Sequence, residues 1–192
     1  YNTLDSIIWM AEGRKYEEVV LMTASLARLL RQSISNEDEV VPLAREVEYA
    51  KGYLTIQKMR YKDKLEFEID VEPSILNIPL IKLVLQPIIE NAIYHGLKYK
   101  ESKGLLQVKG FMKDGNAVLQ VIDNGVGMDE ETLSHIYDKH KVNYHSNGVG
   151  VYNVQKRLKL YYGENYGITY ESEKGVGTTA TIIIPGIQEE SI

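Results

Sequence analysis

Apolar residues in the first third of the chain recur at helical spacing. Val19, Met22, Leu26, Leu29 and Leu30 form one stripe, and Leu43, Val47, Ala50 and Leu54 form another. The polar run Ser35-Asn36-Glu37-Asp38-Glu39 separates them, and Pro42 stands where a first helical turn tolerates proline. The second helix is expected to end near Arg60 or Tyr61. Two amphipathic helices bury their stripes only against each other, a following domain or a second copy of the chain. From Lys64 the period changes. Leu65-Glu66-Phe67-Glu68-Ile69-Asp70-Val71 alternates apolar and acidic residues, which predicts a half-buried strand, and Pro73 ends it.

Pro79 is read as the start of a helix through Leu83, Gln86, Glu90, Asn91 and His95, stopped by Gly96. Pro87 inside it predicts a kink or an irregular first turn. Two strands are expected over 105–112 and 117–122, joined by the turn Lys113-Asp114-Gly115-Asn116. A polar stretch over 123–147 precedes a helix over 150–162. A final hairpin, 168–172 and 178–184, folds around Lys174-Gly175. The sum is an α+β fold, a two-layer α/β sandwich on one mostly antiparallel sheet, preceded by a helical hairpin. The domain division that follows is 1–62, helical, and 63–192, the sandwich.

Composition narrows the class. The 192 residues carry a net charge of -5 with both signs interspersed. No basic stripe supports nucleic-acid binding. Cysteine is absent, so disulfides and cysteine-based zinc sites are excluded. No apolar run reaches the length of a membrane span. The chain opens on Tyr1, which reads as a piece cut from something longer.

The candidate chemistry lies at junctions between predicted elements. Gly-Val-Gly occurs three times, at Gly125–Gly127, Gly148–Gly150 and Gly175–Gly177. Each alone is an ordinary turn; no Rossmann spacing and no Gly-Lys-Ser/Thr accompanies them. Their neighbours change that reading. Asp123 ends a predicted strand just before the first turn, where a carboxylate accepts a hydrogen bond from an exocyclic amine; its bland alternative is an Asx turn. The second turn opens into a helix, whose free N–H groups attract phosphate. Thr178 follows the third. On the preceding helix Asn91 and His95, four apart, share a face. An amide oxygen suits magnesium. His95 fits a phosphate contact and a helix-capping charge equally well. His135, His140 and His145 match no usual zinc spacing and read as a solvated segment.

Taken in order, Glu90-Asn91-Ala92 with His95-Gly96, Asp123-Asn124-Gly125-Val126-Gly127-Met128, Asn147-Gly148-Val149-Gly150 and Gly175-Val176-Gly177-Thr178 resemble the Asn box and glycine boxes of the GHKL ATPases. These have the Bergerat ATP-binding fold with a lid over the nucleotide. Within that superfamily, the stretches 43–49, 53–61, 85–92 and 150–158 resemble bacterial sensor histidine kinases of the autolysin-regulator type. Tyr1-Asn2-Thr3-Leu4 is similar to the tail of that family's phosphoacceptor motif, which places the acceptor histidine just before Tyr1.

The resemblance implies specific roles. Asp123 reads the adenine amino group, with Gly125 and Gly127 beside the ring and Thr178 supporting the adenine end. Asn91 holds Mg2+. Glu90 polarises the attacking nucleophile, and His95 touches phosphate. Gly148 and Gly150 let the lid and helix start wrap the phosphates. The cofactors implied are ATP and Mg2+, and the partners a response regulator and a second copy of the chain. The parent is implied to be membrane-anchored, with this part in the cytoplasm. A stretch beginning at Tyr1 would bind ATP without labelling itself, and Asn2 would lie one helical turn past the missing histidine. The alternatives are an anti-sigma serine kinase or other ATPase of the superfamily, and a nucleotide-binding module without transfer activity.

Overall fold

The computed structural model describes residues 2–34, 39–136 and 148–186. Two helices open the chain, α1 (Asn2–Glu12) and α2 (Tyr16–Ile34). They are separated by a turn in which Arg14 takes a positive φ of 57°. A short strand, β1 (Val40–Pro42), runs directly into α3 (Leu43–Tyr61). Pro42 therefore precedes the helix instead of occupying its first turn; its φ of -57° and ψ of 140° are those of extended backbone.

The strand expected from the acidic–apolar alternation is β2 (Leu65–Val71). Beyond it the structure departs from the sequence reading. Pro79–Ile81 is not the first turn of a helix but a strand, β3, paired antiparallel with β1. Tyr162 fixes it: its hydroxyl accepts from the Ile81 N–H at 3.2 Å and donates to the Pro79 carbonyl at 3.1 Å. The helix α4 begins only at Leu85 and runs to Asn91. Pro87 then falls in its first turn, where a missing N–H costs nothing. Gly96 does not stop the helix either. Residues Ala92–Leu97 continue it with a wider, π-type winding, closed by Lys98 N–H on the Ile93 carbonyl at 2.8 Å.

The hairpin β4 (Gly104–Lys113) and β5 (Asn116–Asp123) turns through Asp114 and Gly115, at φ 51° and 77°. A short helix α5 (Glu130–Ser134) follows, then α6 (Gly148–Tyr162), β6 (Gly167–Glu173) and β7 (Gly177–Pro185). The main sheet has the order β2-β4-β5-β7-β6, with β2 and β4 parallel and every other pair antiparallel. One face is apolar: Leu106, Val108, Leu119, Val121, Ala180, Ile182 and Ile184 are buried. Against it pack Leu54 and Ile56 of α3, Ile88 and Ile89 of α4, and Val151, Val154 and Leu158 of α6. The other face is mixed: Gln120 bonds Thr181 across β5 and β7, beside a pair of Val118 and Ile183. The α3 helix thus shares one core with the sheet.

Candidate nucleotide site

The site lies where α4, its π-type continuation and the ends of β5 and β7 meet. A cavity of about 570 Å³ opens there, and Asn91, His95, Gly96, Asp123, Gly127 and Thr178 are among its walls. Ile88, Ala92, Val121 and Ala180 supply apolar lining, and Met128, Thr132, His135 and Ile136 of the α5 region close one side. A mostly apolar pocket with a few convergent polar groups suits a flat heterocycle.

Asp123 is the last residue of β5 and is 6% exposed. Its Oδ1 accepts from the Gly125 N–H at 2.8 Å. The backbone N–H of Thr178, opposite it in the ladder, also donates to the carboxylate. Burial pushes the Asp123 carboxyl up to about 6, against the pull of these two N–H groups and of Lys100. A carboxylate has about four lone-pair sites, so two backbone donors leave acceptor capacity for a ligand's amine.

The glycines explain how the carboxylate is seated. A Cβ on Gly125 would collide with the Gly96 backbone and stand 2.6 Å from Asp123 Oδ1. Val126 N–H bonds the Gly96 carbonyl at 3.1 Å, which locks the turn to the helix end. Gly127 has a positive φ of 63°, and a Cβ there would collide with the Glu173 carbonyl. Ser172, not singled out in the sequence, ties the two strand ends together. Its hydroxyl accepts from Met128 N–H at 2.8 Å, donates to the Gly177 carbonyl at 3.0 Å and lies 2.9 Å from Thr178 Oγ1.

Asn91 is the last residue of α4. Its Oδ1 is buried and accepts no hydrogen bond among the described residues. A buried amide oxygen left without a partner is costly, and a hard cation suits that donor once the side chain turns toward the cavity that Asn91 lines. His95 is exposed at its outer side, yet desolvation against the pocket, followed by the charge of Lys98, lowers its imidazole below the ordinary value.

Other predicted residues lie elsewhere. Glu90 is not in the cavity wall; it accepts from Gln86 Nε2 at 2.8 Å on the flank of α4. Gly150 sits in the first turn of α6, where a Cβ would stand 3.2 Å from Pro87 Cβ, so it lets α6 approach α4. Gly148 begins α6. His140 and His145 fall outside the described residues, whereas His135 borders the cavity. Among the described residues no group of three His, Cys, Asp or Glu side chains could hold a metal. No helix there is long and apolar enough to cross a membrane.

Comparison with known proteins places this geometry. Residues 77–188 match the family model described as histidine kinase-, DNA gyrase B- and HSP90-like ATPase. The chain belongs to that family. Its ATP-binding domain is preceded by residues 1–65, which match the histidine kinase model. The chain is similar to the sensor histidine kinase YesM of Bacillus subtilis, 33% identical over 185 residues, 96% of this chain and 31% of that protein. It is also similar to the sensor protein LytS of Oceanobacillus iheyensis, 34% identical over 143 residues, 73% of this chain and 24% of that protein. The chain therefore spans about a third or less of these relatives. Among solved structures, the catalytic domain of histidine kinase ThkA in a nucleotide-free form aligns with a TM-score of 0.58 at 16% identity, covering 78% of this chain and 99% of that one. The histidine kinase domain of the Erythrobacter litoralis EL346 blue-light activated kinase gives 0.56 at 16% identity, over 88% and 72%. Both show the ATPase fold.

Proposed function

We propose that this site binds ATP as its magnesium complex, and that the parent protein is a sensor histidine kinase. The observation that carries the reading is the pair formed by the Asp123 carboxylate, seated on two backbone N–H groups, and Asn91, a wall residue of the same cavity whose buried Oδ1 accepts no hydrogen bond among the described residues. Asp123 accepts the adenine amino group, the ring lies beside Gly125 and Gly127, and Thr178 supports it. Asn91 holds Mg2+, which neutralises phosphate charge when bound. His95, kept neutral by its surroundings, donates to phosphate from the same helical face. Gly148 and Gly150 admit phosphates at the start of α6. Glu90, beside Asn91 on the flank of α4, polarises the attacking nucleophile.

In this reading the parent phosphorylates a histidine and passes the phosphoryl group to an aspartate of a response regulator. Residues 1–62 are a remnant of the dimerisation and acceptor region, 63–192 the catalytic part, and the parent is anchored in a membrane with this part in the cytoplasm. The match of residues 1–65 to the histidine kinase model favours this over a serine kinase of the same superfamily. Full-length protein incubated with γ-labelled ATP should take up acid-labile, alkali-stable label, and N91A should abolish it. Acid-stable label alone would point to a hydroxyl acceptor and refute the histidine kinase reading.

A further inference from the structure

Glu46 of α3 is a charged side chain buried to 5% exposure, and the nucleotide site makes no direct use of it. Its carboxylate accepts three backbone N–H groups: Leu83 on Oε1 at 2.7 Å, and Val84 and Leu85 on Oε2 at 2.9 and 3.1 Å. These are the N–H groups at the start of α4, the helix that ends at Asn91. A helix N-terminus leaves such donors unpaired and favours a negative charge. No side chain of α4 supplies its own cap. Leu83 enters the helix at a φ of 62°, a conformation that a leucine adopts only where its surroundings impose it. From the other side Arg157 of α6 donates to the Lys82 carbonyl at 2.9 Å and adds its charge to the field at Glu46. Three helices therefore converge on residues 82–85. Glu46 belongs to the segment that matches the histidine kinase model, and the N–H groups it holds belong to the ATPase segment.

We infer that Glu46 is the positioning residue of the Asn91 helix, holding that helix from α3 so that Asn91 keeps its place in the cavity wall. Asn91 stands six residues after Leu85, about 9 Å along the axis. A short helix pinned at one end by a charged cap and at the other by the Gly96–Val126 hydrogen bond has little freedom to rotate. Loss of the cap frees the entry turn and lets Asn91 move out of register with Asp123, whose backbone is held by the β4 and β7 ladders. The metal part of this claim rests on the proposal that Asn91 holds magnesium; the helix-anchoring part does not.

The test uses Glu46→Gln, which keeps the side-chain shape but turns an amide NH2 toward backbone donors, with Asn91→Ala as reference. ATP affinity is measured with magnesium and with EDTA, and amide hydrogen exchange is followed along 83–91 and along β5. In E46Q, exchange along 83–91 should accelerate at least tenfold while β5 stays protected. Affinity should fall about tenfold with magnesium and less than twofold in EDTA, as in N91A. A uniform loss under both conditions, with β5 equally deprotected, would show only a general loss of stability and overturn the positioning role. So would unchanged exchange along 83–91. If N91A itself is indifferent to magnesium, the metal assignment fails and the exchange data alone decide the role of Glu46. If E46Q does not fold, Glu46→Asp, which keeps the charge but shortens the reach, is read by the same exchange pattern.

Discussion

Gly96 presents a bare Cα to the carboxylate of Asp123: a Cβ at that position would stand 2.7 Å from Oδ1 and 3.0 Å from Cγ. The π-type turn brings Gly96 this close. Its role is steric, and no positive φ is involved. Gly96→Ala should therefore displace the Asp123 side chain from the Gly125 and Thr178 N–H groups. The expected cost is about 1–3 kcal/mol of stability, typical of overpacking a filled site, together with a tenfold or greater loss of ATP affinity. Chemical denaturation and calorimetry check both. Wild-type affinity in G96A would mean that the carboxylate does not hold the nucleotide.

Asp123 should also set a pH dependence. Its folded carboxyl is raised from 3.8 to about 6, so the folded state binds the proton more tightly than the unfolded chain. That contribution to stability is fully present below the unfolded value and is lost as pH rises through about 6, amounting to about 3 kcal/mol. Asp123→Asn cannot titrate. The stability of wild type relative to D123N, from urea denaturation at a series of pH values, should therefore fall between pH 4 and 7.5. A flat difference would mean the carboxyl is not desolvated. Nucleotide binding should run the other way, strengthening as Asp123 ionises, because the carboxylate is the better acceptor for an amine.

The first two helices carry exposed apolar side chains one turn apart. Leu4 and Ile8 on α1 are 49% and 58% exposed, and Tyr16 and Val20 on α2 are 67% and 69% exposed. Such a face suits a second copy packed as a helical bundle. The double variant Ile8→Glu with Val20→Glu should shift sedimentation toward monomer at concentrations where the wild type is dimeric, with unchanged ATP affinity. Wild type that stays monomeric throughout, in the full-length protein as well, would refute the bundle.

Much of this site was legible because its determinants are local. The alternation from Leu65 to Val71 needs only neighbouring residues, and so does the positive-φ turn at Asp114-Gly115. Asp123 could be singled out because it ends a strand just before a glycine turn, and Asn91 because it shares a helical face with His95 and sits in a stretch that resembles the Asn box. What the sequence did not disclose depends on partners distant along the chain. Pro79–Ile81 is a strand because Val40–Pro42 pairs with it and Tyr162 clamps it. The Asn helix starts at Leu85 because Glu46, about forty residues upstream, caps it. Glu46 was not singled out in the sequence, because the N–H groups it holds lie far along the chain. Ser172 looked like a strand residue, and its bonds to Met128 and Gly177 appear only once β6 and β7 are paired.

In the proposed function the Asp123 carboxylate recognises adenine through its amine donor. Guanine places a carbonyl oxygen where adenine has its amino group, so the same carboxylate should repel it. The most direct measurement is calorimetric titration of wild type and Asp123→Ala with ATP and with GTP, both in magnesium. Wild type should bind ATP and discriminate strongly against GTP. D123A should lose about 1–3 kcal/mol toward ATP, the scale of a buried polar partner left unmatched, and should lose most of its discrimination. Equal binding of both nucleotides by wild type, or undiminished ATP binding by D123A, would rule out adenine recognition by Asp123.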